Sequence, residues 1–226
     1  MTAPNESTQG ASNAKPPPGA AFEKKALHRL GDLFFRYRSF TPVPLALLLL
    51  VQARSSYPAA LWGVALMAGG EWIRLTSVRA AGKATRTRQV GARRLVTWGL
   101  YAYTRNPLYI GNFLLWIGAV LFAGGLYLPW LLGAVFIMFL LQYTLIISLE
   151  EATLTALFGP AYASYRQAVP RVIPHLRQAN RAAALSTDLP KGELHPWRYA
   201  VESERSTLQV TSAVIILTVI STWIKQ

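Results

Sequence analysis

"YTRNPLYIGN", residues 103–112, places an arginine, an asparagine and a proline directly before a long apolar run. A simple membrane helix needs no such polar groups at its entrance. Pro107 suits the first turn of a helix, where its missing N–H removes no hydrogen bond. The stretch therefore predicts an apolar helix that begins near residue 107 and whose polar neighbours serve a further purpose.

The composition of the whole chain favours a membrane protein. Of its 226 residues, 52% are hydrophobic and 15% are charged, whereas soluble domains carry about 25% charged residues. The net charge of +13, combined with long apolar runs, favours anionic lipid headgroups over nucleic acid as the partner. The chain has no cysteine, which excludes disulfides and thiolate chemistry. Its three histidines are too far apart in sequence to predict a metal site.

Five apolar stretches are predicted to form transmembrane helices, because an isolated span must satisfy its own backbone hydrogen bonds. They cover residues 40–53, 57–73, 108–125, 126–149 and 208–224. The predicted fold is all-α, a polytopic integral membrane protein with about five transmembrane helices.

The distribution of basic residues predicts the orientation of these spans. Segment 74–105 carries eight lysines and arginines and no acid, while the loop between the first two spans carries only Arg54. By the positive-inside rule, segments 74–105 and 150–207 are expected to face the cytoplasm. The third and fourth spans then form a hairpin with both ends at the cytoplasmic face. Topology and lipid phosphates account for most of these arginines, and one or two are candidates for holding an anionic ligand.

The end of the fourth span carries two adjacent carboxylates, Glu150 and Glu151. Carboxylates at a membrane boundary are costly unless they are paired or face a wet cavity. Thr144, Ser148 and Glu151 follow i, i+4, i+7 spacing, so they are predicted to share one helix face. This face would form a polar stripe that runs into the membrane.

The second and third spans carry two further patterns. Gly111, Gly118 and Gly125 are seven residues apart, which predicts a smooth side where another helix approaches closely. Glu71 precedes Arg74 by three residues. This spacing predicts either an ion pair within one helix or a pocket wall that faces a substrate.

The order of these motifs resembles that of the integral-membrane methyltransferase family, which includes isoprenylcysteine carboxyl methyltransferase and phospholipid N-methyltransferases. The family carries R-H/N-P-x-Y-x-G before a hydrophobic hairpin, then E-E, then F-G-x-x-Y-x-x-Y and V-P-R-x-x-P. This chain has RNPLYIG at 105–111, EE at 150–151, FGPAYASY at 158–165 and VPRVIP at 169–174. The resemblance covers roughly residues 70–174, and eukaryotic carboxyl methyltransferases have His where this chain has Asn106.

The resemblance implies S-adenosylmethionine as methyl donor and an acceptor in the membrane, either a lipid or a prenylated molecule. It also implies a cytoplasmic cofactor pocket roofed by residues 158–174, with Glu151 and Arg171 as catalytic residues. The implied cofactor-binding residues are Tyr101, Arg105, Asn106, Tyr109, Gly111, Glu150, Glu151, Tyr162, Tyr165 and Arg166.

These residue types suit the chemical groups of that donor. Either glutamate of the pair suits its ammonium through a charge-assisted hydrogen bond. The planar fork of Arg105, Arg166 or Arg171 suits its carboxylate, and tyrosine rings suit its adenine and its sulfonium cation. A carboxylate acceptor needs no base, whereas an amine acceptor has to lose a proton, which Glu151 can assist. Both classes of acceptor stay open.

The motifs divide the chain into four parts. They are a disordered tail (1–25), the first two spans (26–78), a region with the basic loop, the hairpin and the cofactor-binding motifs (79–174), and a C-terminal cytoplasmic segment with the final span (175–226). The predicted protein is integral to the membrane and multi-pass, with its active site facing the cytoplasm. The alternatives are an NADPH-dependent sterol-type reductase and a non-enzymatic lipid-binding membrane protein.

Overall fold

The computed structural model describes residues 33, 37, 43–82, 94–174 and 193–225. The predicted tail (1–25) and much of the basic loop (83–93) lie outside the described residues. The helices are α1 (Val43–Gln52), α2 (Tyr57–Ala81), α3 (Pro107–Ala123), α4 (Leu128–Ala168) and α5 (Trp197–Ile224), with a 3-10 helix at Gly99–Ala102. No strand occurs among the described residues, so the predicted all-α class is confirmed for this part of the chain.

Helix α4 is longer than the sequence predicts and contains a kink. A proline occupies the first turn of α2, α3 and α4, as the predicted start of α3 requires. The sequence predicts that the fourth span ends near residue 149, but α4 continues to residue 168. Gly159 has a left-handed φ of 49° and precedes Pro160. Glycine tolerates this conformation and proline lacks the N–H that a straight helix needs, so the chain bends here.

Close packing of α2 against α3 forms the centre of the helix bundle. A Cβ atom added at Gly70 would lie 2.8 Å from the carbonyl oxygen of Gly111, and one added at Gly63 would lie 2.7 Å from that of Gly118. The smooth side predicted from Gly111 and Gly118 is therefore confirmed. Gly125 does not continue it, because α3 has already ended and Gly125 lies in the following turn with a φ of 101°.

The loop between α1 and α2 meets the turn between α3 and α4 at one end of the bundle. The backbone N–H of Arg54 donates to the carbonyl of Ala123 at 3.0 Å. At the end of α5, Nζ of Lys225 donates to the carbonyl of Val51 at 2.6 Å. The two connections expected outside the cell thus lie at the same end of the molecule, together with the end of α5.

Two helices, α4 and α5, are long and apolar enough to cross a membrane. Only 33% and 6% of the residues in their most apolar stretches are buried within the chain, so most of this surface faces outward. Helices α1 and α3 have 10 and 17 residues, and α2 contains Glu71 and Arg74. Of the five predicted spans, two therefore meet this criterion, because the other three are short or interrupted by charge.

Candidate functional site

The candidate site forms where the chain that follows the α4 kink returns to the start of α3. The backbone N–H of Arg105 donates to the carbonyl of Pro170 at 2.9 Å. The side-chain amide of Asn106 donates to the carbonyl of Arg171 at 2.8 Å. Two motifs that are 65 residues apart in sequence are therefore held side by side by backbone and amide hydrogen bonds.

A carboxylate lies between two arginines at this junction. Oε1 of Glu151 is 3.2 Å from Nη1 of Arg105 and 3.4 Å from Nε of Arg171. The side chains of Glu151 and Arg105 are 15% and 10% exposed, and that of Arg171 is 37% exposed. Arg171 also donates through Nη2 to the hydroxyl of Ser148 at 2.6 Å. Ser148 and Glu151 thus share one face of α4, as their spacing predicts.

The charges of this cluster are paired, but four of its polar atoms form no hydrogen bond with a described residue. Within the described part of the chain, Nε and Nη1 of Arg105, Nε of Arg171 and Oε1 of Glu151 are buried and have no hydrogen-bond partner. Of these atoms, Nη1 of Arg105 and Nε of Arg171 lie at ion-pair distance from Oε1 of Glu151 without forming a hydrogen bond to it. Because buried polar atoms are normally satisfied, the cluster offers both donors and an acceptor to a small molecule that carries charges of both signs.

Glu150 has a different partner from its neighbour. The hydroxyl of Tyr109 donates to Oε1 of Glu150 at 2.7 Å. The ring of Tyr109 lies 4.5 Å, centroid to centroid, from the ring of Tyr143 on α4. The two adjacent glutamates thus face different groups, and Tyr109 joins the start of α3 to the end of the apolar part of α4.

The other predicted tyrosines form the wall beside this cluster. Tyr162 and Tyr165 follow the kink, are 1% and 5% exposed, and have ring centroids 6.1 Å apart. The hydroxyl of Tyr165 donates to the carbonyl of Tyr101 at 2.8 Å. Burial, with the Glu150 carboxylate as the second cause, raises the pKa of the Tyr101 hydroxyl well above its usual range. The rings of Tyr162 and Tyr165 are therefore buried inside the wall, and their faces are not open to a ligand.

Two predicted residues lie apart from the cluster. Arg166 is exposed and is not one of the arginines that contact Glu151. Gly111 faces α2, where an added Cβ would lie 2.8 Å from the carbonyl oxygen of Gly70. The surface of Gly111 is therefore occupied by a helix contact.

A second polar cluster joins α2, α3 and α5 and was not predicted from the sequence. Arg74 donates through Nε to Glu204 at 3.1 Å and through Nη1 to the side-chain oxygen of Asn112. Glu71 accepts a hydrogen bond from Thr211 at 2.9 Å and Arg74 pairs with Glu204, so both residues contact α5. The alternative that Glu71 faces a substrate stays a prediction. The available signal was that Arg74 and Glu204, of opposite charge, both adjoin apolar runs on the same predicted side of the membrane.

Comparison with known proteins agrees with the order of the motifs. Residues 59–161 match the family described as phospholipid methyltransferase. The chain is 40% identical over 80 residues to a Protein-S-isoprenylcysteine O-methyltransferase of Schizosaccharomyces pombe, a match that covers 35% of this chain and 33% of that protein. The match thus spans about a third of the length of this curated relative. No solved structure matches the chain.

The family match begins in α2 and ends in α4, just after the kink. It includes Arg105, Tyr109 and both glutamates, and it stops before Tyr162 and before α5. The resemblance predicted from the motifs is thereby confirmed: over residues 59–161, this chain is similar to the phospholipid methyltransferase family.

Proposed function

We propose that this protein transfers a methyl group from S-adenosylmethionine to an acceptor embedded in the membrane, either a lipid or a prenylated molecule. The observation that carries the proposal is the carboxylate of Glu151 between Arg105 and Arg171, with buried polar atoms that lack hydrogen-bond partners within the described residues. The amino-acid end of the donor bears one ammonium and one carboxylate, which complement both signs of this cluster. The family match and the name of the yeast relative support the same activity.

In this proposal, the residues of the cluster bind and align the donor. Glu151 accepts hydrogen bonds from the ammonium, and Arg105 donates to the carboxylate through its planar fork. Arg171 is the most exposed of the three and would close the site. The side chain of Asn106 holds the backbone of Arg171. The bound donor would supply an electrophilic methyl group. Alignment and exclusion of water account for much of the acceleration of such a displacement.

The acceptor would enter from the bilayer, and all five helices would belong to a multi-pass membrane domain. Large apolar side chains such as Leu126 and Trp130 are each 80% exposed, and lipid is the environment in which this exposure is favourable. A helix of 17 residues, such as α3, spans about 26 Å, close to the roughly 30 Å of a hydrocarbon core. Glu71 and Arg74 contact α5 and α3, which removes the main obstacle to placing α2 in the membrane.

The proposed orientation predicts which introduced cysteines are accessible from outside the cell. The chain has no cysteine of its own, so a single substitution gives a signal without background. In intact cells, a membrane-impermeant thiol reagent should label Leu126→Cys in the α3–α4 turn and should not label Arg198→Cys at the start of α5. Both positions are strongly exposed, at 80% and 90%. Permeabilised cells should show labelling of both, and the reverse pattern in intact cells would contradict the cytoplasmic site.

The activity itself is tested with labelled donor. The purified protein should bind S-adenosylmethionine and not NADPH in calorimetry, and it should transfer labelled methyl groups into the lipid fraction of membrane extracts. Transfer should depend on the acyl or prenyl chain of the acceptor, because the acceptor has to reach the site through the bilayer. Equal turnover of a short water-soluble analogue would contradict a membrane acceptor, and binding of NADPH alone would favour a reductase.

A further inference from the structure

We infer that Glu204 of α5 is a positioning residue that orients Glu150 of the proposed methyl-donor site, through a chain of contacts across α2, α3 and α4. The inference rests on the proposed function, since Glu150 adjoins Glu151, which would hold the ammonium of the donor there. Helix α5 (Trp197–Ile224) lies outside the residues that match the family, so the comparisons assign it no role.

The first link joins α5 to α2. The side chains of Glu204 and Arg74 are 1% and 12% exposed, and Nε of Arg74 donates to Oε2 of Glu204 at 3.1 Å. Nη2 of Arg74 donates to the same oxygen and, at 3.1 Å, to the hydroxyl of Thr207. Removing one partner from a buried ion pair leaves an uncompensated charge, so the position of Arg74 depends on Glu204.

The second link joins α2 to α3 and α4 through one amide. Nη1 of Arg74 donates to Oδ1 of Asn112. Because a guanidinium group only donates hydrogen bonds, this contact sets the orientation of the amide. The Nδ2 atom of Asn112 then donates to the hydroxyl of Tyr143 at 3.1 Å. If Arg74 moves away, the amide is able to rotate and the contact that holds Tyr143 is lost.

The third link reaches the site. The rings of Tyr143 and Tyr109 are 4.5 Å apart with an interplanar angle of 55°, and the Tyr109 hydroxyl donates to Oε1 of Glu150 at 2.7 Å. Aromatic pairs have preferred relative orientations, so a displaced Tyr143 displaces Tyr109 and the carboxylate that it holds. The chain of contacts therefore ends beside Glu151.

Glu71 provides Arg74 with a competing partner. It precedes Arg74 by three residues on α2, a spacing at which side chains on a helix meet. Its side chain is buried, and within the described residues its Oε2 atom has no hydrogen-bond partner. When Glu204 loses its charge, we expect the guanidinium group of Arg74 to turn from Asn112 toward Glu71.

The test is the affinity of the full-length, detergent-solubilised protein for S-adenosylmethionine, measured by calorimetry. Glu204→Gln should raise the Kd roughly 3- to 30-fold. Asn112→Leu removes the contacts of Asn112 with Arg74 and Tyr143 but keeps the Arg74–Glu204 pair, and it should cause a similar increase in the Kd. This variant tests the inference if Glu204→Gln does not fold. In a Tyr109→Phe background, which lacks the last hydrogen bond, Glu204→Gln should cause no further increase. This lack of additivity distinguishes positioning from general loosening of the fold.

Two variants of the same helix serve as controls. Glu202→Gln alters an exposed pair with Arg198 at 3.9 Å and should leave the Kd unchanged. Thr218→Ala removes a buried methyl group and a buried hydroxyl of α5 and should also leave the Kd unchanged, although the packing of α5 is weakened. An unchanged Kd in Glu204→Gln, or an equal increase with and without Tyr109→Phe, would overturn the inference. Absence of binding by the unsubstituted protein would overturn the proposed function as well.

Discussion

Glu151→Gln should weaken the binding of S-adenosylmethionine roughly 10- to 150-fold, which corresponds to about 1.5–3 kcal/mol. The substitution keeps the shape of the side chain and removes its charge, so the charge-assisted hydrogen bond to the ammonium is lost. It also leaves the guanidinium groups of Arg105 and Arg171 without the carboxylate that lies 3.2 and 3.4 Å from them. Calorimetry with folded, detergent-solubilised protein measures this effect directly.

Two comparisons make this experiment specific to the site. Glu193→Gln changes an exposed glutamate outside the matched segment, and cofactor affinity should not change. Glu150→Gln should have a smaller effect than Glu151→Gln, because the amide oxygen still accepts the hydrogen bond from Tyr109. If the affinity is unchanged in Glu150→Gln, in Glu151→Gln and in the double variant, the carboxylate pair does not hold the donor and the site assignment is wrong.

Gly70→Ala should lower the free energy of unfolding by about 1–3 kcal/mol. The added Cβ atom would lie 2.8 Å from the carbonyl oxygen of Gly111 and 3.0 Å from the backbone nitrogen of Leu115. Backbone atoms of a packed helix cannot rotate away as a side chain does, so α2 and α3 have to separate. Thermal unfolding in detergent measures the loss as a lower Tm.

The neighbouring glycine provides a matched control for this prediction. Gly69 lies on the same helix, and a Cβ atom added there meets nothing within 4 Å. Alanine is favoured over glycine in a helix by roughly 0.8–1 kcal/mol, so Gly69→Ala should leave the stability unchanged or raise it. Equal destabilisation by the two substitutions would show that the close contact of α2 and α3 does not limit stability.

Local features of the sequence were sufficient to predict where the apolar parts of the helices lie, but not how far α2, α4 and α5 extend beyond them. The start of α3 at Pro107 was predictable, because the effect of proline on a helix is confined to neighbouring residues. Ser148 and Glu151 share a face of α4 because helical spacing alone determines which side chains lie together. The extension of α4 past residue 149 was not predicted, since a polar helix beyond the apolar run is held by its packing against Leu95 and Ala102.

Only the tertiary structure decided which glutamate meets the arginines. Glu150 and Glu151 differ by about 100° around the helix axis, so their partners depend on where the chain returns after the bend at Gly159. The pair of Arg74 with Glu204 lies 130 residues apart in sequence and depends on the packing of α5 against α2. The energy of a buried ion pair depends on the distance between its charges in space. Local sequence patterns determine where the apolar helices lie, and the packing of the helices determines that distance.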